Sequence, residues 1–160
     1  MNSFKHETGD IFDYAYIDTA VAHGVNCVGL MGAGLALQMR RRYPEMYRIY
    51  QLMCLSKTLV PGGFFPWVER KNWDPTDYDD HPGIECTIIN CASQDLPGAN
   101  AKTEWLLSSL NLAAAYCNAQ GLRLVVPEIG AGIGGLDRNI VFEVFEVVGG
   151  LVDLTVVTYG

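Results

Sequence analysis

Two glycine-rich segments constrain the fold of this chain more than any other feature of its sequence. GLMGAG occupies residues 29–34 and GAGIGG occupies residues 130–135. Each segment follows an apolar run, AVAHGVNCV at 20–28 or LRLVV at 122–126, and each precedes a stretch of helical character. A buried strand, a glycine turn and a helix in this order are typical of an α/β domain whose sheet is mainly parallel.

Apolar periodicity extends this alternation of strands and helices along the chain. The sequence predicts further strands at 4–8, 84–91 and 154–159, and helices at 35–42, from Pro44 past Met53, at 102–120 and from Asp137 to Val148. Pro44 suits the first turn of its helix, Gly121 suits a C-cap, and Asp137 suits an N-cap. The polar, proline-bearing residues 69–83 indicate an exposed loop. We expect a single three-layer α/β domain, residues 1–160, with a mainly parallel sheet.

The charge balance argues against several classes of function. The chain carries 11 basic and 18 acidic residues, a formal net charge of -7. This acidity argues against strong non-specific binding to nucleic acid and against binding to anionic lipid, but it leaves room for a small anionic ligand in one local site. The first residues lack the pattern of a secretory signal, and His23, Asn26 and several glycines interrupt the nearly uncharged stretch 20–38. We therefore expect a cytoplasmic protein without a membrane span.

Cysteine usage favours a reducing compartment and free thiols. The five cysteines, an odd number without a CxxC pair, are Cys27, Cys54, Cys86, Cys91 and Cys117. Buried free thiols are the favoured interpretation, and a zinc site is the second. The loop at 69–83 also contains an acidic cluster, which is Asp77, Asp79, Asp80 and His81. It lacks the spacing of a calcium-binding loop, so we interpret it as solvated and expect no bound metal.

The two glycine segments suit one shared anionic ligand. A helix amino terminus offers unpaired backbone N–H groups and the positive end of the helix dipole. Glycine allows a positive φ and leaves no Cβ in the way of a phosphate oxygen. In an open α/β sheet both segments lie outside the carboxyl ends of their strands, so they face one crevice and suit a pyrophosphate held by main-chain amides. The alternative is that both segments are only tight turns and a helix cap.

The second segment also matches the dinucleotide pattern GxGxxG through Gly130, Gly132 and Gly135. A dinucleotide-binding unit places an acidic residue about 20 residues further on, at the end of the next strand. Asp153 instead precedes the next strand, and too little chain follows to complete that fold. The sequence therefore argues against a nicotinamide-dependent dehydrogenase.

Four strings of the sequence together resemble the macro domain, an ADP-ribose-binding module. They are GDIF at 9–12, HGVNCVGLMGAGLALQMRRRYPEMYRIY at 23–50, IINCASQD at 88–95 and PEIGAGIGGLD at 127–137. The resemblance implies a three-layer α/β/α sandwich with a mixed, mainly parallel sheet and no cofactor. The portion from VNCVG to RYPEM is similar to antitoxin-type enzymes that remove ADP-ribose from DNA bases, and to related hydrolases that act on proteins.

The resemblance also implies roles for individual residues. Asp10 would bind the adenine amine, Ile11 would contact the base through its backbone, and Asn26 would hydrogen-bond the distal ribose. The first segment would enclose that ribose and its phosphate through Gly29, Met31, Gly32 and Gly34. The second segment would hold the diphosphate through Ile129, Gly130, Ala131, Gly132, Ile133, Gly134 and Gly135. Tyr159 lies either near the adenine or simply in the core or at the surface.

One position departs from the family pattern. In the members that remove ADP-ribose from DNA and protein, a lysine acts on the anomeric carbon, and alignment from Ile88 places Gln94 there. A glutamine amide forms no Schiff base and carries no charge, so it would orient a water or hold a ribose hydroxyl. Asp137 matches an acid implicated in those enzymes, as a general base or oxocarbenium stabiliser, and is equally suited to capping the helix that follows. Asp137, Gln94 and Asn26 are the candidate catalytic residues.

His23 and Ser93 are the remaining polar candidates. His23 lies within a predicted buried strand, and we interpret it as a satisfied core residue and not as a catalyst. Ser93 is a nucleophile by type, but the sequence assigns no His or Asp to activate it. The leading hypothesis is a macro domain that binds ADP-ribose and hydrolyses it from an ADP-ribosylated macromolecule, either DNA or protein. The alternatives are an ADP-ribose 1''-phosphate phosphatase and a reader that binds without turnover.

Overall fold

Six strands form one sheet within the residues that the computed structural model describes, which are 3–71, 76 and 83–160. The strands are β1 (Lys5–Thr8), β2 (Thr19–Gly24), β3 (Phe64–Arg70), β4 (Ile84–Cys91), β5 (Arg123–Val126) and β6 (Leu154–Thr158). Their order across the sheet is β1-β6-β5-β2-β4-β3. Every neighbouring pair is parallel except β3 and β4, which are antiparallel. The prediction of a mixed, mainly parallel sheet is confirmed.

Helices cover both faces of this sheet. They are α1 (Gly34–Arg42), α2 (Pro44–Leu55), α3 (Thr103–Gln120) and α4 (Arg138–Gly149), together with a short 3-10 helix at Ile11–Tyr14. Buried side chains of α1 and α2 pack in one core cluster, and those of α3 and α4 pack in another. Strand β2 serves both clusters, because Ala20 and Ala22 join the α3 and α4 cluster whereas Val21 joins the other. The fold is therefore a three-layer α/β/α sandwich.

The helix ends follow signals that the sequence contains. Pro44 occupies the first turn of α2, where a missing N–H breaks no helical hydrogen bond. Gly121 ends α3 in the left-handed region, with a φ of 69°. Asp137 caps α4, because its side chain accepts a hydrogen bond from the backbone N–H of Asn139 at 2.7 Å. These three predictions are confirmed.

The first glycine segment begins in a turn and not in a long strand. Strand β2 ends at Gly24, so the prediction that it continues to residue 28 is wrong. Beyond Gly24 the side-chain oxygen of Asn26 accepts a hydrogen bond from the backbone N–H of Val28 at 3.1 Å. A side chain that captures the backbone in this way competes with strand pairing. The chain consequently turns at Asn26.

The edge of the sheet beside β4 also differs from the expectation. Residues 69 and 70 belong to β3 and not to the predicted loop at 69–83. Pro66 is tolerated in β3 because this outermost strand pairs with β4 alone. The acidic cluster of the predicted loop, Asp77, Asp79, Asp80 and His81, lies outside the described residues.

All five cysteines carry free thiols, of which four are buried and Cys27 is half-buried. Burial raises the pKa of Cys27, Cys91 and Cys117 to about 12, so these thiols stay protonated at neutral pH. Within the described part of the chain, no group of three or more His, Cys, Asp or Glu is placed to hold a metal ion. Each helix that the structure describes is too short or too polar to cross a lipid bilayer.

Candidate functional site

Two glycine loops, residues 29–34 and 130–135, meet at one edge of the sheet. The first loop leads from β2 into α1, and the second leads from β5 into α4. Strands β2 and β5 are parallel neighbours at the centre of the sheet, so both loops leave from the same edge. Because α1 and α4 pack on opposite faces, a crevice remains between the loops. The loops come together at one point, where a Cβ on Gly34 would lie 3.3 Å from Cδ1 of Ile133.

Two cavities lie along this crevice. The Asp10 cavity has a volume of about 520 Å³ and is lined by the start of the 3-10 helix, the end of β6 and parts of both loops. The Asn26 cavity has a volume of about 550 Å³ and is lined by the turn after β2, both loops and the segment after β4. The residues that border both cavities are Gly34, Leu35, Pro127, Glu128 and Gly132. The cavities therefore join where the two glycine loops face each other.

The Asp10 cavity combines a carboxylate with apolar surfaces. Asp10 caps the 3-10 helix, and its Oδ1 accepts a hydrogen bond from the backbone N–H of Phe12 at 3.0 Å. A carboxylate offers about four acceptor positions, so this cap leaves capacity for a ligand amine. Ile11 is buried beside it, and the guanidinium carbon of Arg42 lies 3.8 Å from the centre of the Phe12 ring. Tyr159 also lines this cavity, with its side chain exposed.

Asn26 organises the first glycine loop. Its Nδ2 donates to the backbone oxygen of Leu30 at 2.7 Å, and its Oδ1 accepts from the backbone N–H of Val28. Gly29 and Gly34 both adopt positive φ values, 81° and 58°, which glycine alone adopts at little cost. Asn26 is 7% exposed and lines the Asn26 cavity, so one side chain both shapes the loop and borders the site.

Three side chains of α2 hold the first loop from behind. The Tyr50 hydroxyl lies 2.7 Å from the backbone oxygen of Asn26 and 2.9 Å from its Oδ1, and donates its proton to one of them. Tyr47 and Gln51 both donate to the backbone oxygen of Gly29, at 3.1 Å and 3.2 Å. Burial raises the pKa of the Tyr50 phenol, so it stays a donor. Sequence analysis missed this set, although three polar residues at helical spacing after RYPEM are a usable signal.

Backbone contacts hold the second loop. Gly130 and Gly135 have positive φ values of 87° and 80°. The backbone N–H of Leu136 donates to the oxygen of Gly130 at 2.9 Å, and that of Ala101 donates to the oxygen of Gly134 at 3.1 Å. Gly134 is packed so closely that a Cβ there would lie 2.7 Å from the Gly130 oxygen. This loop therefore depends on the absence of side chains at particular glycines.

Most of the predicted ligand residues line the crevice. Those at one or both cavities are Asp10, Ile11, Asn26, Gly32, Gly34, Gln94, Ile129, Gly130, Ala131, Gly132, Ile133 and Gly134. Four predicted residues do not line either cavity: Gly29, Met31, Gly135 and Asp137. Met31 is 1% exposed and packs in the α1 and α2 cluster beneath its loop. Lining a cavity is not itself a ligand contact, so the roles of all the predicted residues, these four included, stay predictions.

Gln94 lies in the Asn26 cavity with its amide group already in use. Its Nε2 donates to the backbone oxygens of Leu96 and Gly98, at 2.6 Å and 3.0 Å. The amide nitrogen of Gln94 thus holds the turn after β4. Its side-chain oxygen is left to accept a hydrogen bond from a ligand or a water. Ser93 lines the same cavity, whereas Lys102 is exposed and its ammonium lies 4.5 Å from the centre of the Trp105 ring.

His23 is a buried histidine with one unpaired nitrogen. Asn90 donates from Nδ2 to the backbone oxygen of Phe65 at 3.1 Å, which leaves its Oδ1 to accept from Nε2 of His23 at 2.6 Å. Nδ1 of His23 is buried without a partner among the described residues. Burial lowers the pKa of His23 to about 4, so the ring is neutral at pH 7. The prediction that His23 is buried is confirmed, but the prediction that it is satisfied is wrong for Nδ1. His23 also lines the Asn26 cavity, so the prediction that it is not a catalyst stays a prediction.

Glu128 is a charged site residue that sequence analysis missed. It follows β5, borders both cavities and is held by the guanidinium of Arg138, which donates from Nε to Oε1. Thr158 donates from Oγ1 to Oε2 at 2.7 Å. The hydrogen bond from Arg138 lowers the pKa of Glu128, so the carboxylate is ionised at neutral pH. Its position two residues before the second glycine loop is the signal that was available.

Comparison with known proteins identifies the family. No family model matches the chain. The macrodomain of Mycobacterium tuberculosis DarG has the same fold, with a TM-score of 0.73 and 29% identity over 98% of this chain and 97% of that one. Thermosipho africanus DarTG in complex with ADP-ribose superposes with a TM-score of 0.73 and 22% identity, over 92% of this chain and 39% of that one. The chain belongs to the macro domain family.

Curated relatives place the similarity more narrowly. The DNA ADP-ribosyl glycohydrolase of Mycobacterium tuberculosis is 33% identical over 119 residues, which are 74% of this chain and 31% of that protein. The ADP-ribose 1''-phosphate phosphatase of Aspergillus oryzae is 40% identical over 61 residues, 38% of this chain and 30% of that protein. The chain thus spans about a third of the length of these relatives, and the longer of the two matches is to the DNA ADP-ribosyl glycohydrolase.

Proposed function

We propose that this macro domain binds ADP-ribose along the crevice, with the diphosphate between the two glycine loops. The observation that carries the proposal is the junction of the two cavities at Gly34 and Gly132, one residue from each loop. A ligand with two different ends and a charged linker fits two cavities that join at main-chain amides. The adenine would occupy the Asp10 cavity, and the distal ribose would occupy the Asn26 cavity.

The proposal extends to hydrolysis of an ADP-ribosylated macromolecule. Water attacks C1'' of the distal ribose, the bond from C1'' to the acceptor breaks, and the water proton passes to the leaving group. The products are ADP-ribose and the free acceptor. The names of the curated relatives that match about three quarters of this chain support DNA as the first acceptor to test. A modified protein, the other acceptor that the resemblance implies, is the second.

The side chains at the Asn26 cavity support a route without a covalent intermediate on lysine. No lysine lines either cavity among the described residues, and Gln94 offers an amide oxygen that can orient the water. Asn26 would hold the distal ribose. Asp137 is the proposed general base, because it matches an acid of the resembled enzymes and lies two residues after the second loop, although it lines neither cavity.

The binding step is tested by titration calorimetry with ADP-ribose beside AMP and NAD. We expect ADP-ribose to bind more tightly than AMP, because only ADP-ribose reaches the Asn26 cavity. As a control, Asp10→Asn should weaken AMP and ADP-ribose alike. Equal affinities of the wild type for AMP and ADP-ribose would contradict the use of both cavities.

The turnover step is tested by incubating the protein with ADP-ribosylated DNA and ADP-ribosylated protein. Asp137→Asn keeps a good N-cap but removes the carboxylate, so it should slow release of ADP-ribose while ADP-ribose affinity is retained. Asp153→Asn, at an exposed carboxylate before β6, is the matched control. If the protein binds ADP-ribose but releases it from neither substrate, it is a reader without turnover. If it releases phosphate from ADP-ribose 1''-phosphate and acts on neither macromolecule, the phosphatase function is favoured.

A further inference from the structure

One ionised side chain stands where the two cavities join. Of the titratable residues that the structure describes, Glu128 alone borders both the Asp10 cavity and the Asn26 cavity. Its side chain is 20% exposed. A ligand that extends through both cavities therefore passes this carboxylate, and the diphosphate of ADP-ribose has a hydroxyl-bearing ribose on each side.

The groups that fix Glu128 belong to the Asp10 cavity. Arg138 and Thr158 line that cavity and not the other. Arg138 donates to both oxygens of the carboxylate, from Nε to Oε1 and from a terminal nitrogen to Oε2 at 3.5 Å, and Thr158 donates to Oε2. Arg138 is itself held, since its guanidinium carbon lies 4.5 Å from the centre of the Phe142 ring. The carboxylate consequently faces the adenosine half of the crevice in one orientation, and its two oxygens keep acceptor capacity beyond these three bonds.

We infer that Glu128 selects an adenosine ribose with free hydroxyls; this inference rests on the proposed binding of ADP-ribose. A carboxylate accepts hydrogen bonds from the ribose diol, as an acidic residue does in dinucleotide sites. A phosphate on the same ribose offers no hydroxyl proton there and places like charges side by side. The site therefore takes ADP-ribose and excludes 2'-phospho-ADP-ribose.

The opposite outcome, tighter binding of the 2'-phosphorylated compound, would have its physical cause in Arg138. An arginine near the ribose accommodates a 2'-phosphate in some dinucleotide sites. Here the Arg138 guanidinium already donates to Glu128, and binding a phosphate would require breaking that ion pair. If the ion pair stays intact, the site excludes the 2'-phosphate. If Arg138 is released from Glu128, the site prefers the 2'-phosphate.

Calorimetry with ADP-ribose and 2'-phospho-ADP-ribose tests this inference. We expect the wild type to bind the phosphorylated compound about tenfold more weakly or worse, and Glu128→Gln to reduce that ratio to about threefold or less. Glu128→Asp, which keeps the charge, should retain the discrimination. Asp10→Asn is the matched control, because it removes a carboxylate of the same cavity and should weaken both ligands with an unchanged ratio.

The outcomes separate this inference from the proposed function. Equal affinities of the wild type for the two compounds, or tighter binding of the phosphorylated one, would overturn the selection while leaving ADP-ribose binding intact. An unchanged ratio in a Glu128→Gln variant that melts like the wild type would remove Glu128 from the selection. Failure of the wild type to bind ADP-ribose would overturn the proposed function and this inference together.

Discussion

The two glycine loops face the same crevice but are built in different ways. The first loop is held by polar side chains, with Asn26 in the turn before it and Tyr50 behind it. The second loop is held by backbone hydrogen bonds and by glycines such as Gly134 that leave no room for a Cβ. Side-chain hydrogen bonds are lost one at a time, whereas a backbone clash displaces a whole turn. We therefore expect graded effects in the first loop and abrupt effects in the second.

The largest effect is expected for Gly134→Ala. Its Cβ would lie 2.7 Å from the backbone oxygen of Gly130 and 2.9 Å from Cβ of Ala101, so the second loop must move. We expect ADP-ribose affinity to fall about 100-fold or more, with a loss of about 1–3 kcal/mol in the free energy of unfolding. Calorimetry and urea denaturation measure the two quantities. Gly132→Ala, whose Cβ meets nothing within 4 Å, is the control and should unfold like the wild type.

Low pH should destabilise the fold through the strand that supports the first loop. His23 precedes that loop on β2, and burial lowers its pKa to about 4. Between about pH 6.5 and pH 4 the unfolded chain binds a proton on this ring that the folded chain does not, so stability is full above that window and falls as the pH falls. We expect a loss of about 3 kcal/mol, measured by urea denaturation across this range.

Two histidine variants separate this effect from general acid denaturation. The His23→Leu variant should lose this part of the pH dependence of stability. The control variant His6→Asn, at an exposed histidine, should retain it. A pH profile that is the same in His23→Leu and in the wild type would show that another group is responsible.

A smaller, ligand-specific effect is expected for Tyr50→Phe. The change removes the hydroxyl that donates to Asn26 and leaves the ring in place. Because an unsatisfied buried acceptor costs about 1–3 kcal/mol, we expect ADP-ribose affinity to fall about tenfold. AMP affinity should hardly change, since AMP does not reach the Asn26 cavity. Tyr116→Phe, at a half-buried tyrosine on α3, is the control, and an equal loss for both ligands would contradict a role specific to the first loop.

The smallest of these effects concerns the helix that follows the second loop. Asp137→Ala removes the cap on the N–H of Asn139 and should lower the free energy of unfolding by about 1 kcal/mol. Asp137→Asn should keep almost all of this stability, because asparagine is an equally good N-cap. Thermal denaturation of the two variants checks this. Similar losses in both would show that the charge at Asp137, and not the cap, stabilises α4.

Local signals in the sequence account for much of the fold. The strand, glycine loop and helix sequences around 29–34 and 130–135 predict the layers, and Pro44, Gly121 and Asp137 predict helix ends, because these properties depend on neighbouring residues. Parallel α/β topology also predicts that both loops leave one edge of the sheet, but the pairing of β2 with β5 was not predicted, because strand order depends on contacts between distant segments. The early end of β2 was missed, since an apolar run does not show that Asn26 captures the backbone.

The parts of the site that sequence analysis missed depend on contacts between distant segments. Tyr50 and Glu128 matter through partners at Asn26 and Arg138 that only the packed structure places beside them. Gln94 was recognised as a departure from the family pattern, but its bonds to the turn at 96–98 were not foreseeable, because they depend on how that turn folds back. Side-chain networks of this kind leave no periodic trace in a sequence.

The adjacency of β2 and β5 also links ligand binding to completion of folding. The first loop comes from the early part of the chain and the second from its last third, so the crevice arises only when both central strands are paired. A ligand that bridges the loops cannot bind to a partly folded chain, and at 100 times its dissociation constant it adds about 2.7 kcal/mol to the stability of the whole domain. Occupancy of the crevice would thus protect strands far from it against hydrogen exchange.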